Sequence, residues 1–463
     1  QIDALLWREI ALTWYDVGDN AHARQCCERG EAVLRAADVS GGPAWASIRF
    51  LQGYIYAREG NYDAARAMAD EALRLYEQSP TQAPALNDSP LTGTRRTLMG
   101  DPVNLGRTYT LLGLVVLYTG HTKESLTHYQ NALAIFEQYD RQREIANVSC
   151  NIGDVYLHKA EHEPAYAAFR RSLHLAERVG DIPLTTVVYG NFGIVDAHRG
   201  NLAEAESWFQ RGITLAEQID DQIYISILCL YLAIVQQDLG HLDDAYTNIC
   251  RALKISRSIN HASLIGFALV AAGMLRVAQA MLAAQTQPAP EQRARKRIDT
   301  SRRLLKRALT TLRRALGRAE LDAEIRYEGQ LARATALLLL GDLDAARQQA
   351  ETVYEAARQQ QLAWIAARAE ALLGSILTGQ GQWEQAKRYF ERAMQVFRQR
   401  DMRLELARTQ RRYGLALLRR EADKRGMQQG LDYLREARQS FKERGASLDL
   451  RMVERDLARY EKA

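Results

Sequence analysis

Cysteine is scarce in this chain and proline is segregated. Only five cysteines occur in 463 residues, an odd number, and Cys26 and Cys27 are adjacent. That usage excludes a disulfide framework and points to free thiols in a reducing, cytoplasmic compartment. Of nine prolines, six fall in two stretches: Pro80, Pro84, Pro90 and Pro102 in one, Pro288 and Pro290 in the other. The remaining three, Pro43, Pro164 and Pro183, fall at expected turns, so the long intervals between them are open to helix. No apolar run approaches the roughly 18 residues that cross a bilayer, and the opening lacks the pattern of a signal peptide. Nucleotide chemistry has no carrier, because no G-x-x-x-x-G-K-[ST] loop is present. His158 and His162 are four apart but straddle a helix-to-turn junction, and His162-Glu163 runs into Pro164 without a zincin motif, so no metal site is expected. Cys26-Cys27 lacks the spacing for C-x-x-C chemistry and reads as core packing, as do Cys229 and Cys250. A binding protein without a cofactor is therefore expected rather than an enzyme.

Charge is modest overall and concentrated locally. The net value is +5, but residues 291–318 hold eleven Lys or Arg against Glu291 and Asp299. That stretch alone is +9, leaving about −4 for the rest of the chain. Leu305, Leu309, Leu312 and Leu316 follow helical spacing, and Arg302, Arg303, Lys306, Arg307, Arg313 and Arg314 fall around the remainder. Such a helix can contact phosphates or an acidic partner, yet no aromatic side chains are interleaved to stack bases. A solvated face is the simpler reading, and a nucleic-acid partner is not expected.

What the sequence has in abundance is a repeat. A turn glycine followed five residues later by a small residue recurs as Gly18/Ala23, Gly60/Ala65, Gly120/Ser125, Gly200/Ala205, Gly240/Ala245, Gly341/Ala346 and Gly381/Ala386, with Ala160/Ala165 filling one slot. The period is 40 residues, which implies a solenoid of helix-turn-helix units. Asn151-Ile-Gly153 opens a first helix, A; Ala165, Phe169 and Ser172 mark a second, B; Asn191-Phe-Gly193 with Ala205, Phe209 and Gly212 repeats the frame. A small residue of helix A is expected to face a small residue early in helix B. Ten units fit, with helix A starting near residues 4, 46, 106, 146, 186, 226, 266, 327, 367 and 407.

These spacings resemble the tetratricopeptide repeat (TPR), lengthened from the usual 34 residues to 40 by helices of roughly 17 residues each. The resemblance implies an all-α fold: an α-solenoid of about ten helix pairs forming a right-handed superhelix, a single domain over 1–463. A polar insertion at 79–104 reads as a mobile loop, a second at 284–298 splits the seventh unit, and 446–463 reads as a capping helix. The chain opens inside a helix A without an initiator methionine, which suggests the C-terminal part of something longer.

In TPR superhelices helix A lines the concave groove, and the family's ligands usually bind there. By that resemblance the candidate ligand-binding residues are Tyr118, Asn147, Asn151, Asp154, His158, Asn191, His198, Tyr231, Asp238 and Phe267. Asparagine on successive A helices offers a peptide backbone both a donor and an acceptor, and Asn151 and Asn191 match positions that hold extended peptides in kinesin light chain and LGN-type adaptors. The 40-residue units, and helix B endings such as Leu175-Ala-Glu-Arg-Val-Gly180-Asp, are similar to the C-terminal sensor of MalT-like bacterial STAND signal-transduction ATPases. That likeness implies a peptide, protein or small-molecule inducer in the groove, and NTPase and effector modules N-terminal to Gln1. A constitutive peptide-binding adaptor with no switch fits the same residues.

Overall fold

The computed structural model describes residues 1–78, 102–284, 291–420 and 424–461. Every regular element among them is helical. The first four pairs are α1 (Ile2–Asp16) with α2 (Asn20–Ala36), α3 (Pro43–Arg58) with α4 (Tyr62–Glu77), α5 (Pro102–Tyr118) with α6 (Thr122–Gln138), and α7 (Gln142–His158) with α8 (His162–Val179). Next come α9 (Ile182–Arg199) with α10 (Leu202–Gln218), α11 (Gln222–Leu239) with α12 (Leu242–Ser258), and α13 (Ala262–Ala283) with α14 (Glu291–Leu316). The series ends with α15 (Ala323–Leu340) and α16 (Leu343–Gln359), α17 (Ala363–Gly379) and α18 (Trp383–Gln399), α19 (Arg403–Arg419) and α20 (Lys424–Glu443), and a final α21 (Ser447–Tyr460). The described residues form an all-α solenoid of ten helix pairs and a final helix. The seventh pair is the irregular one, with helices of 22 and 26 residues.

Two left-handed turns set the repeat. Within a pair, Gly18, Gly60, Gly120, Gly200, Gly240, Gly341 and Gly381 take φ between 75° and 91°, and Ala160 takes 50°. Between pairs, short polar residues occupy the same region: Asp38, Asp140, Asp220, Asn260 and Asp401 at φ 47–54°. Asp and Asn tolerate this conformation because their side chains bond locally. In several pairs the residue before the second helix then caps it. Asp19 accepts from the His22 N–H at 3.0 Å and Asn61 from the Ala64 N–H at 3.2 Å, each cap contributing roughly 1 kcal/mol.

The glycine of helix A makes room for an aromatic ring, not only for a small residue. A Cβ on Gly193 would lie 2.6–2.8 Å from three ring atoms of Phe209, and Gly153 and Gly374 stand in the same relation to Phe169 and Phe390. The small residue early in helix B instead touches the helix A backbone, as where the Ser125 hydroxyl donates to the Gly113 carbonyl at 2.7 Å. Gly193→Ala is therefore expected to cost about 1–3 kcal/mol through overpacking. Phe209→Leu in the same chain should recover part of that loss. Urea unfolding checks both; an unchanged midpoint for Gly193→Ala would mean that the ring has somewhere to go.

The chain divides into two compact units, residues 1–155 with 167–180, and residues 156–166 with 181–463. In unit 1 the core gathers Ala4, Cys27, Leu34, Ile48 and Leu51 near one end, and Val103, Tyr129, Phe136 and Val155 near the other. In unit 2 one large cluster runs from Leu202 and Phe209 through Leu228 and Phe267 to Leu404, Phe441 and Val453. Two helices of unit 2, Gln222–Leu239 and Ala262–Ala283, are long and apolar enough to cross a membrane by length and composition, contrary to the expectation from apolar runs. More than half of each is buried in the protein, and a helix covered on most sides needs no polar stripe.

Three boundaries move. Pro102–Asn104 open α5 rather than closing the first insertion, whose residues 79–101 lie outside the described ones. In the second insertion residues 285–290 also lie outside, and helix begins at Glu291, within the stretch expected to be loop. Its Arg, Lys, Gln and Ala residues are good helix formers. The terminal helix spans Ser447–Tyr460, and residues 462–463 are not among those described. Cys26, Cys27, Cys150 and Cys229 are buried free thiols, whereas Cys250, expected to pack, is exposed.

Candidate functional site

In unit 2 the inner face is occupied by charged side chains of its own later repeats. His158, His198 and Asp238 stand 40 residues apart near the ends of α7, α9 and α11, and Glu328, Arg368 and Arg408 stand 40 apart on α15, α17 and α19. One series meets neighbours from α15, α17 and α19. His158 Nδ1 lies 2.5 Å from Glu324 Oε1, the His198 ring is 4.7 Å from that of Trp364, and Arg408 donates to Asp238. The flanking turns add Arg199 to Asp401 at 3.1 Å, Arg400 to Glu161 at 3.3 Å and Arg444 to Asn201 at 3.3 Å. Ser447 on α21 donates to the Leu239 carbonyl at the end of α11. Early and late helix pairs of unit 2 are thus tied by at least seven contacts of high sequence separation.

Arg408 is the hub. Its guanidinium engages Asp238 on α11, Asp449 on α21 at 2.9 Å, and Glu405 one turn away at 2.9 Å. Arg368 pairs with Glu328 and lies 3.7 Å from Glu405. Burial acts to raise the Glu405 carboxyl, but Arg368, Arg408 and Arg412 outweigh it and hold it at about 2. Burial dominates at Asp238 and Glu328, which stay above the usual carboxylate range despite Arg408 and Arg368. At Glu324 the order reverses, and His158 overcomes burial to hold the carboxyl low.

Two cavities flank this lattice. One, of about 200 Å³, lies against Met274, Met281, Leu448, Met452 and Arg412; the other, of about 160 Å³, against His198, Tyr231, Glu324, Trp364 and Met402. Asp238, Met274, Glu328, Arg368, Glu405 and Arg408 border both, so the ion pairs form a partition. His198 Nδ1 and Trp364 Nε1 are buried there with no hydrogen-bond partner among the described residues. Burial pushes the His198 imidazole down to about 3, and His162, whose ring lies 5.9 Å away, to about 4.

Of the residues expected to bind ligand, unit 2 brings together His158, His198, Tyr231 and Asp238. Phe267 borders neither cavity: it is 5% exposed and packs edge-on against Tyr231 in the core. Asn191 is half-buried and borders neither cavity. Tyr118, Asn147, Asn151 and Asp154 belong to unit 1. There Tyr118 is 53% exposed and stacks on Tyr62, and the Asn147 amide donates to the Arg143 carbonyl of its own helix at 3.0 Å. On α14 the residues Arg302, Arg303, Lys306, Arg307, Arg313 and Arg314 are all exposed and form no ion pair among the described residues, while Leu305, Ala308, Leu312 and Ala315 pack beneath. The sequence reading stopped at the seventh unit and so missed Glu328, Arg368, Glu405, Arg408, Arg412 and Asp449. Charges at 328, 368 and 408, spaced by one repeat, were the signal.

Tetratricopeptide repeat models match residues 46–79, 104–178, 142–218 and 371–400. The helix pairs at these residues match tetratricopeptide repeats, and the remaining pairs form the same kind of solenoid. A search of curated proteins by sequence found no match. Among solved structures, the repeats superpose on the apo form of the quorum sensor NprR from B. thuringiensis with a TM-score of 0.53 at 10% identity, covering 85% of this chain and 99% of that one. A STAND protein with a TPR sensor from Pyrococcus horikoshii aligns at a TM-score of 0.41 and 11% identity, over 80% of this chain and 51% of that one. The Rap conjugation gene regulator of plasmid pLS20, in complex with the Phr* peptide, aligns at 0.46 and 12%, over 85% and 95%. At such identities the likeness is one of fold.

Proposed function

We propose that this TPR chain is the sensor module of a bacterial, cytoplasmic STAND-type signal-transduction ATPase, and that its inducer acts on the inner face of the repeats. One observation carries the reading: Arg408 ties α11, α19 and α21 together through buried charges beside two cavities. Ion pairs that share partners strengthen one another, and contacts so coupled suit an element with two arrangements. A ligand shifts the balance by as much as it prefers one state over the other. The 40-residue repeat and the likeness in fold to the quorum sensor NprR agree with a sensing role. A constitutive adaptor would do better with an open inner face than with one filled by its own arginines. The expected partners are a peptide, protein or small-molecule inducer, and N-terminal NTPase and effector modules in the parent chain.

The test removes two contacts at once. Asp238→Asn with Glu324→Gln should loosen unit 2, increasing its radius of gyration by small-angle scattering and speeding amide exchange in α21. In the full-length parent, oligomerisation should then proceed without inducer. A loosened unit 2 with no change in the parent's assembly would sink the switch.

A further inference from the structure

Among the charged residues at the 200 Å³ cavity of unit 2, Arg412 has no counterpart. It makes no hydrogen bond and no ion pair among the described residues. All four acids bordering that cavity are engaged elsewhere: Asp238, Glu405 and Asp449 by Arg408, and Glu328 by Arg368. Arg411, the neighbouring arginine, is answered by Asp456 at 2.7 Å. Burial pushes the Arg412 guanidinium down; Glu405 opposes this, and Arg408, Arg368 and Arg411 add to it. An arginine stays charged in proteins and carries five donors in a planar fork that matches a carboxylate. Arg412 is half-buried, so its guanidinium is partly shielded from water yet open to an anion entering the cavity.

The rest of the wall specifies the other end of the ligand. Met274, Met281, Met452, Leu448, Val277 and Leu331 surround the cavity, and methionine side chains adapt to the shape of what they enclose. We infer that this cavity binds a small carboxylic acid with an apolar body, its carboxylate held by the guanidinium of Arg412 and its body lying on the methionine wall. The inference rests on the sensor reading for its purpose, and it names the class of inducer. A carboxylate at Arg412 sits beside Arg408 and competes with Asp238 and Asp449 for it, which connects binding to the contacts that hold α11, α19 and α21 together.

The experiment compares the protein with Arg412→Met and Arg412→Lys, using octanoate as probe, octanol as its uncharged counterpart and inorganic phosphate as charge without a body. Octanoate should raise the unfolding temperature saturably, with octanol and phosphate each at least about tenfold weaker, the difference one charge-assisted hydrogen-bonded pair makes. Arg412→Met should lose the octanoate response; Arg412→Lys should retain part of it. An octanoate response that survives Arg412→Met overturns the proposal. Equal binding of octanol overturns it as well. Binding that leaves amide exchange of α19 and α21 unchanged would uphold the anion site and sink the sensor reading. No binding, with Asp238→Asn and Glu324→Gln still switching the parent, would sink the anion site alone.

Discussion

Arg408→Ala is expected to destabilise unit 2 by about 3–5 kcal/mol, the penalty for removing one partner from a buried charged group. Three carboxylates, Asp238, Glu405 and Asp449, would lose their nearest cation in a part of the protein largely shielded from water. The loss should be local in origin. Because α21 is held to α11 through Arg408 and through Ser447 on the Leu239 carbonyl, its amides should exchange faster before those of α9 or α17 do. Hydrogen exchange resolves this where a single denaturation midpoint does not, since repeat arrays need not unfold in one step. Adding Asp238→Asn and Asp449→Asn to Arg408→Ala should return a large part of the loss, because neutral amides strand no charge. A cost below about 1 kcal/mol would place the network among solvent-screened surface pairs.

The helix pairs, their lengths and their turns follow from residues that act locally. Gly200 and Gly240 are read directly as left-handed turns, and Phe169 and Phe209 as the packing face of helix B, because each role depends on neighbours within one repeat. The inner face is different. His158 meets Glu324 across 166 residues and Asp238 meets Arg408 across 170, and no local rule says that two stretches of a solenoid so far apart will face each other. The register was nevertheless present. Glu328, Arg368 and Arg408 repeat at the period of the fold, and a charge recurring at one structural position of helix A is costly unless something opposite answers it. The asparagines were easier to notice and less informative, since Asn151 and Asn191 fall in different units and an amide needs no counter-ion.

Lowering the pH from 7 to 5 is expected to weaken unit 2 by about 4 kcal/mol, roughly 2 from each of His162 and His198. Both imidazoles titrate near 6.5 in the unfolded chain but near 4 and 3 in the fold, where burial disfavours the charged ring. Arg199 adds to the effect at His162, and His162 itself at His198. Below pH 6.5 the unfolded chain therefore takes up protons that the fold refuses, and stability is lost progressively until the folded values are passed. Asp401 works against the shift at His162, as do Glu324 and Glu405 at His198, but burial is the larger influence at both. Glu324 and Glu405, whose carboxyls are held low, add a further loss below the ordinary carboxylate range, while Asp238 and Glu328, held high, take up protons in the fold above that range and gain stability as the pH falls toward it. Between pH 5 and 6.5 the two histidines are the groups held furthest below their unfolded values. His162→Gln with His198→Gln should flatten stability across that window and leave the steeper loss below pH 4.5 in place. If the pair of substitutions left the slope between pH 5 and 6.5 unchanged, the rings would be titrating in the fold, and the interior beside Trp364 would be open to water.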